Sequence, residues 1–384
     1  MHPSLAVSNL HQLPLLLRRR ALAAAAGNID ELKTLNRSQA NVTRLLPVYY
    51  SGLDTAPIPS LLAQLDAPEG PFLTQKLAQV VLCLQGLCSI GSKELFPGPP
   101  SVDLWQRVWP WLEFLDTYQD HLPRLLRPGL GVSDFSPLLL ISVLGRDEAT
   151  AKLMLVTPGL RILIFRAWAQ SFDQTKFVQT HKGLFDKVCG LMQNVTPTIT
   201  DQRDFEEAIE GSGGNRLALA RLCVNHINFV VQPAAMSPGD FSMRSVIILL
   251  QMRCEADMSF RELLVDQGIV SALTSVACRF SSPPFAQQNS LFILCWAIKF
   301  YLRMPYGHKT ITEAVHAGLL RALLAFGKMS PPPEPQYLQQ LDEILVFFST
   351  SSVYLSFLLQ LQASIKELED PHRRPDLPWI CTLR

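Results

Sequence analysis

Apolar positions along the chain recur at helical spacing, and one short phrase carrying that spacing occurs three times. The copies are Val156-Thr-Pro-Gly159-Leu, Val265-Asp-Gln-Gly268-Ile and Val315-His-Ala-Gly318-Leu. After each Gly an apolar residue follows at one (Leu160, Ile269, Leu319), five (Ile164, Leu273, Leu323) and eight positions (Ala167, Val276, Phe326). Spacing of this kind marks one buried stripe of a helix, and a Gly ahead of it supplies the left-handed backbone that ends the preceding helix. The phrase therefore predicts a helix, a sharp turn and a second packed helix. The glycines lie 50 residues apart (268 to 318) and 109 apart (159 to 268), one and two units of a repeat near 50 residues. Repeats of that length belong to the armadillo and HEAT kind. A weaker fourth copy is Thr180-His-Lys-Gly183-Leu.

The same patterning predicts helices almost throughout and no sheet. They fall at Leu15–Ala26, Asp30–Leu35, Leu73–Ser89, Val102–Tyr118, Phe135–Leu144, Glu148–Val156, Arg161–Phe172, Phe185–Asn194 and Asp204–Glu210. Further on come Arg216–Val231, Phe241–Arg253, Phe260–Asp266, Val270–Phe280, Phe285–Leu302, Ile311–Ala317, Arg321–Phe326 and one long helix, Gln336–Glu369. Pro and Gly mark loops at Leu53–Pro71, Phe96–Ser101, Pro283-Pro284 and Ser330–Pro335. The expected fold is an all-α, armadillo/HEAT-like helical repeat solenoid over residues 1–370, followed by a loose tail at 371–384.

Composition narrows the function. With 48% hydrophobic and 17% charged residues the 384-residue chain has ample core material. A net charge of +1, with basic clusters no longer than Arg18-Arg19-Arg20 and Arg373-Arg374, is not the footprint of a nucleic-acid binder. The longest apolar runs, Pro137–Leu144 and Leu291–Ile298, fall short of a membrane span. The arginine triplet follows the apolar run Leu13–Leu17, the reverse of a secretory signal. The absence of acids before Asp30 has a presequence character, but an amphipathic first helix is the simpler reading. Eight single Cys inside apolar segments read as reduced core residues of an intracellular protein, cytoplasmic or nuclear. The acceptor patterns at Asn36, Asn41 and Asn194 then read as chance matches.

Motifs with chemical content favour structural readings. Glu210-Gly-Ser-Gly-Gly-Asn-Arg216 lacks the strand and the Gly-Lys-Ser/Thr ending of a phosphate loop, and reads as a linker. Cys223 and His226 share a helix face, but four-ligand zinc sites need a second pair that the chain does not offer. No catalytic signature, cofactor fingerprint or metal pattern is present, so a protein partner is expected in place of a cofactor or small molecule. The densest aromatic segment runs from Asp103 to Tyr118 and holds Trp105, Trp109 and Trp111. These three are the candidate partner-binding residues, since Trp is enriched at interface hot spots, with core packing as the competing account. No Trp is followed four residues later by Asn, which removes the peptide-holding ladder of nuclear-import armadillo proteins.

Several phrases resemble the helical region of MYND-finger proteins from mushroom-forming fungi. They are Ser8-Asn-Leu-His-Gln-Leu-Pro14 through Arg18-Arg-Arg-Ala-Leu-Ala-Ala23, Leu45-Leu-Pro-Val-Tyr-Tyr50, Asp103-Leu-Trp-Gln-Arg-Val-Trp-Pro-Trp-Leu112, and Ala218-Leu-Ala-Arg-Leu222 through His226-Ile-Asn228. The resemblance covers about residues 4 to 360 and implies an armadillo-like array with a C-terminal zinc finger that recruits proteins. Here no C-x2-C pair exists, and Trp379-Ile-Cys381-Thr-Leu-Arg384 ends before a finger could form, so the zinc role passes to no residue. A natural short form and a lost or omitted finger both fit. The expected function is a non-catalytic protein–protein interaction scaffold. Two alternatives stand beside it: a hydrolase or transferase with a site assembled across helices, and a remnant without a partner.

Overall fold

The computed structural model describes residues 1–37, 43–64, 71–93, 96, 98–118, 137–173, 182–231, 246–250, 253, 256–281, 288–303, 307–327 and 335–369. Among them every regular element is helical. The chain divides into two compact units, Met1–Ile164 and Phe165–Arg384. The tail expected from residue 371, the spacers at 283–284 and 330–334, and most of the helix expected at 241–253 lie outside the described residues; of the last, 246–250 are helical.

The first unit holds α1 (Leu15–Ala25), α2 (Ile29–Arg37), α3 (Leu46–Gly52), α4 (Ile58–Leu62), α5 (Pro71–Lys93), α6 (Gly98–Thr117), α7 (Pro137–Leu144) and α8 (Glu148–Leu155). Helix α5 is its centre and packs against α2, α3 and α7. Its inward stripe, Leu77, Val80, Val81, Leu84, Leu87 and Ile90, has no side chain more than 1% exposed. Each such side chain contributes roughly 1.5–3 kcal/mol of burial. Gly86 lies on this helix where an added Cβ would overlap the Tyr49 ring, so α3 approaches α5 closely only because no side chain intervenes. Tyr49 Oη donates to Asn36 Oδ1 (2.9 Å) and Asn36 Nδ2 donates to the Leu82 carbonyl (2.8 Å), joining α2, α3 and α5.

Helix α9 (Leu160–Asp173) follows α8 through the first Gly turn. The second unit continues with α10 (Lys182–Val195), α11 (Gln202–Gly211), α12 (Arg216–Val231), α13 (Met258–Asp266), α14 (Ile269–Phe280), α15 (Gln288–Leu302), α16 (Gly307–His316), α17 (Leu319–Gly327), α18 (Pro335–Ser351) and α19 (Leu355–Glu369). Gly159, Gly268 and Gly318 take φ of 82°, 83° and 102°, the left-handed turn their phrase predicts. The apolar stripe behind each Gly is buried at its first two positions in all three copies, from Leu160 and Ile164 to Leu319 and Leu323. Ala167 is half-buried, whereas Val276 and Phe326 are in the core. The leading Val is not equivalent: Val315 is buried and Val156 is 74% exposed.

The weaker copy is corrected. Gly183 lies inside α10 and not at a turn. A further corner of the second unit is Gly213-Gly214, both at positive φ, between α11 and α12. Three first helices also share a device on their leading edge. Asp147, Asp201 and Asp257 each accept a hydrogen bond from the backbone N–H three residues on, capping α8, α11 and α13. A cap of this kind stabilises by about 1 kcal/mol. Each Asp precedes its positive-φ Gly by 11 or 12 residues, the length of one short helix.

Within the second unit the helices that follow the corners stack in chain order: α12 packs on α14, and α14 on α17. A parallel series runs from α14 to α15 and from α15 to α18. Polar contacts tie one corner to the next. Arg279 Nη1 donates to the Val230 carbonyl at 2.7 Å, occupying an acceptor at the C-terminal end of α12. Arg216, at the start of α12, pairs with Asp257 at 3.1 Å. Burial pushes the Asp257 carboxyl up, but hydrogen bonds from Ser259 and the Phe260 N–H, with Arg216, outweigh it and hold the group below the usual range.

Candidate functional site

Helix α6 carries the three tryptophans, and their ring N–H groups show what each does. Trp111 is fully buried, and its Nε1 donates to the Leu53 carbonyl at 3.1 Å. Trp105 is 1% exposed, and its Nε1 donates to Thr157 Oγ1 at 3.0 Å. Both satisfy the one polar atom of a large buried ring, which is what an interior indole requires. Trp109 is half-buried, its ring centroid 5.3 Å from that of Trp105. It borders the first Gly turn, where a Cβ on Gly159 would sit 3.4 Å from Trp109 Cζ2 and 3.7 Å from Glu113 Oε1. The structure thus places Trp105 and Trp111 in the core and leaves Trp109 as the tryptophan of the segment that reaches the surface.

Arg107, one helical turn from Trp111, lies 4.0 Å over the Tyr50 ring and donates to the Tyr50 carbonyl at 2.9 Å. The aromatic helix is therefore held to α3 from two positions, and Trp109 is presented on a fixed base.

The second chemical constellation centres on His226. Its Nδ1 accepts a hydrogen bond from Trp168 Nε1 at 2.9 Å, which fixes the neutral ring with its proton on Nε2. Trp168, Phe172 and Phe185 surround it with ring centroids 5.5–5.6 Å away. Nε2 has no hydrogen-bond partner, and burial pushes the pKa from 6.5 down to about 3. Cys223, on the same helix face, is fully buried. The pair packs in the core, as its structural reading required, and among the described residues no group of three or more His, Cys, Asp or Glu could hold a metal ion.

The cysteines follow the same logic. The six described ones, Cys83, Cys88, Cys189, Cys223, Cys278 and Cys295, are buried and form no disulfide. Burial pushes the thiols of Cys83 and Cys295 up to about 12 and that of Cys278 to about 11. They remain protonated at neutral pH and are poor nucleophiles. At the glycine-rich turn, Asn215 Oδ1 accepts from the Ala218 N–H at 2.8 Å, so a side chain already caps the start of α12 where an anion would bind. Cys381 and Trp379 lie outside the described residues.

No protein-family model matches the chain, and no curated protein matches it. Among the described residues the geometry is all-helical, with packed helix–turn–helix corners.

Proposed function

We propose that the protein is a non-catalytic scaffold that binds another protein inside the cell, its corners forming an armadillo-like array. The observation that carries this reading is the ordered stacking of α12, α14 and α17, each introduced by a positive-φ Gly. Helices stacked in chain order can build extended surfaces, and such surfaces serve binding. The resemblance to the helical region of fungal MYND-finger proteins agrees with this reading. Trp109 is the residue of the original trio best placed to anchor a partner, being an aromatic on a rigid base with its face partly open.

The test begins with cross-linking mass spectrometry on the native protein. The partner is then purified and titrated calorimetrically against the full chain and against Trp109→Ala. The scaffold reading expects a complex with Kd below ~10 μM, weakened roughly 10- to 30-fold by the substitution. Equal binding by the variant removes Trp109 from the role. Turnover by the purified chain in hydrolase and transferase assays, or failure of every recovered partner to bind, overturns the scaffold.

A further inference from the structure

The first helix turns its large apolar side chains outward. Ala21 and Ala24 are the buried residues of α1, which packs on α2, on α3 and on the short segment Val7–Gln12. Leu15, Leu16 and Leu22 of the same helix are 55%, 76% and 45% exposed. A leucine gains far more than an alanine by leaving water, so Ala inside and Leu outside is the reverse of what folding alone favours.

Arginine is interleaved with these leucines. Leu15, Arg19 and Leu22 follow at spacings of four and three along one strip, and Leu16 and Arg20 lie four apart on the strip beside it. Arg18 Nη1 donates to the His11 carbonyl at 3.3 Å, and Arg20 meets Glu31 at 3.7 Å with both side chains partly in water. Arg19 is exposed and makes no ion pair among the described residues. The first 53 residues hold six Lys or Arg against two acids, Asp30 and Glu31, whereas the rest of the chain is net acidic. Asp30 is itself paired with Lys33 at 3.7 Å.

We infer that this face of α1 lies on an anionic lipid surface, its leucines at the boundary of the acyl chains and its guanidinium groups among the headgroups. An acidic peptide or a nucleic acid would neutralise the arginines and leave three leucines in water. An apolar protein groove would cover the leucines but strip water from Arg19, which stands between Leu15 and Leu22, without supplying a counter-charge. A bilayer surface accepts both at different depths, because the Arg stem lies along the apolar zone while its head stays with the anions. The contact is peripheral and independent of the scaffold reading: it is measured without a protein partner, and a chain that ignores lipid leaves the scaffold untouched.

Flotation of the full chain tests the assignment, with vesicles of phosphatidylcholine alone or with about 30 mol% phosphatidylserine in ~0.1 M NaCl. The wild type should partition at least ~10-fold more strongly to the anionic vesicles, and most of that gain should vanish at ~0.5 M NaCl. Arg19→Glu and Leu16→Asp should each weaken partitioning roughly 10- to 30-fold, with circular dichroism unchanged because both side chains stand in water. Val353→Asp, at a site 79% exposed in the second unit, should float like the wild type. A wild type that floats with neither vesicle, or equally with both, overturns the assignment, as do folded α1 variants that float undiminished or a Val353→Asp loss as large as theirs. A chain that ignores vesicles but binds polyglutamate overturns it in favour of an acidic polypeptide.

Discussion

Acid should destabilise the second unit through a single imidazole. His226 is 2% exposed, its Nδ1 is occupied by the Trp168 N–H, and aromatic rings cover its faces, so a protonated ring would be an uncompensated buried charge. Its pKa falls from 6.5 to about 3 on folding because of burial. The unfolded chain therefore takes up the proton first. The stabilisation is full above pH ~6.5 and is lost as pH falls toward about 3, at roughly 1.4 kcal/mol per unit in that window. Between pH 7.5 and pH 5 the loss should be about 2 kcal/mol. Urea denaturation at pH 7.5, 6.5 and 5, followed by tryptophan fluorescence, measures it against His226→Gln, which keeps an acceptor for Trp168 and cannot titrate. The variant carries a packing cost that does not change with pH, so the reading is the difference in slope. Carboxylates are still largely ionised at pH 5, and whatever they contribute is common to both proteins. Parallel stability curves would refute the argument, because the ring would then have to accept its proton at little cost.

Substitutions at three further glycines test the backbone. Gly268 takes φ of 83° with nothing within 4 Å of an added Cβ, so Gly268→Ala should cost about 1–2 kcal/mol from backbone strain alone, and Gly268→Val more; an unchanged thermal midpoint would remove the left-handed turn. Gly86→Ala should cost about 1–3 kcal/mol by driving a methyl into the Tyr49 ring, whereas Gly190→Ala, in α10 with open space around the new methyl, should stabilise by ~0.5–1 kcal/mol. Thermal denaturation of the two helix variants should show shifts of opposite sign, and shifts of the same sign would contradict the packing at α3 and α5.

Helices were legible wherever an apolar stripe and a Gly stop agreed. Losses fell where backbone chemistry competes with periodicity. Gln336–Glu369 reads as one helix because the apolar spacing barely falters, yet the chain turns at residues 352–354. The cause is the run Ser349-Thr350-Ser351-Ser352: Ser349 Oγ donates to the Val346 carbonyl (2.9 Å), Ser352 Oγ to that of Ser349 (2.6 Å), and the Tyr354 N–H to that of Ser351 (3.0 Å). Hydroxyls that take up backbone carbonyls offer the chain an alternative to the helix. The short α3 and α4 were lost to their prolines, although Pro47 and Pro59 stand in the first turn, where no N–H is needed. The caps at Asp147, Asp201 and Asp257 were visible in principle, since an Asp 11 or 12 residues ahead of a Gly brackets one helix of a corner.

The site was less legible than the fold, and the physical reason lies in what an apolar residue reveals. A Trp has the same strong drive to leave water whether it packs in a core or in an interface, so the richness of Asp103–Tyr118 could not separate the two. The decision came from acceptors distant in sequence: the Leu53 carbonyl lies 58 positions from Trp111, and Thr157 lies 52 positions from Trp105.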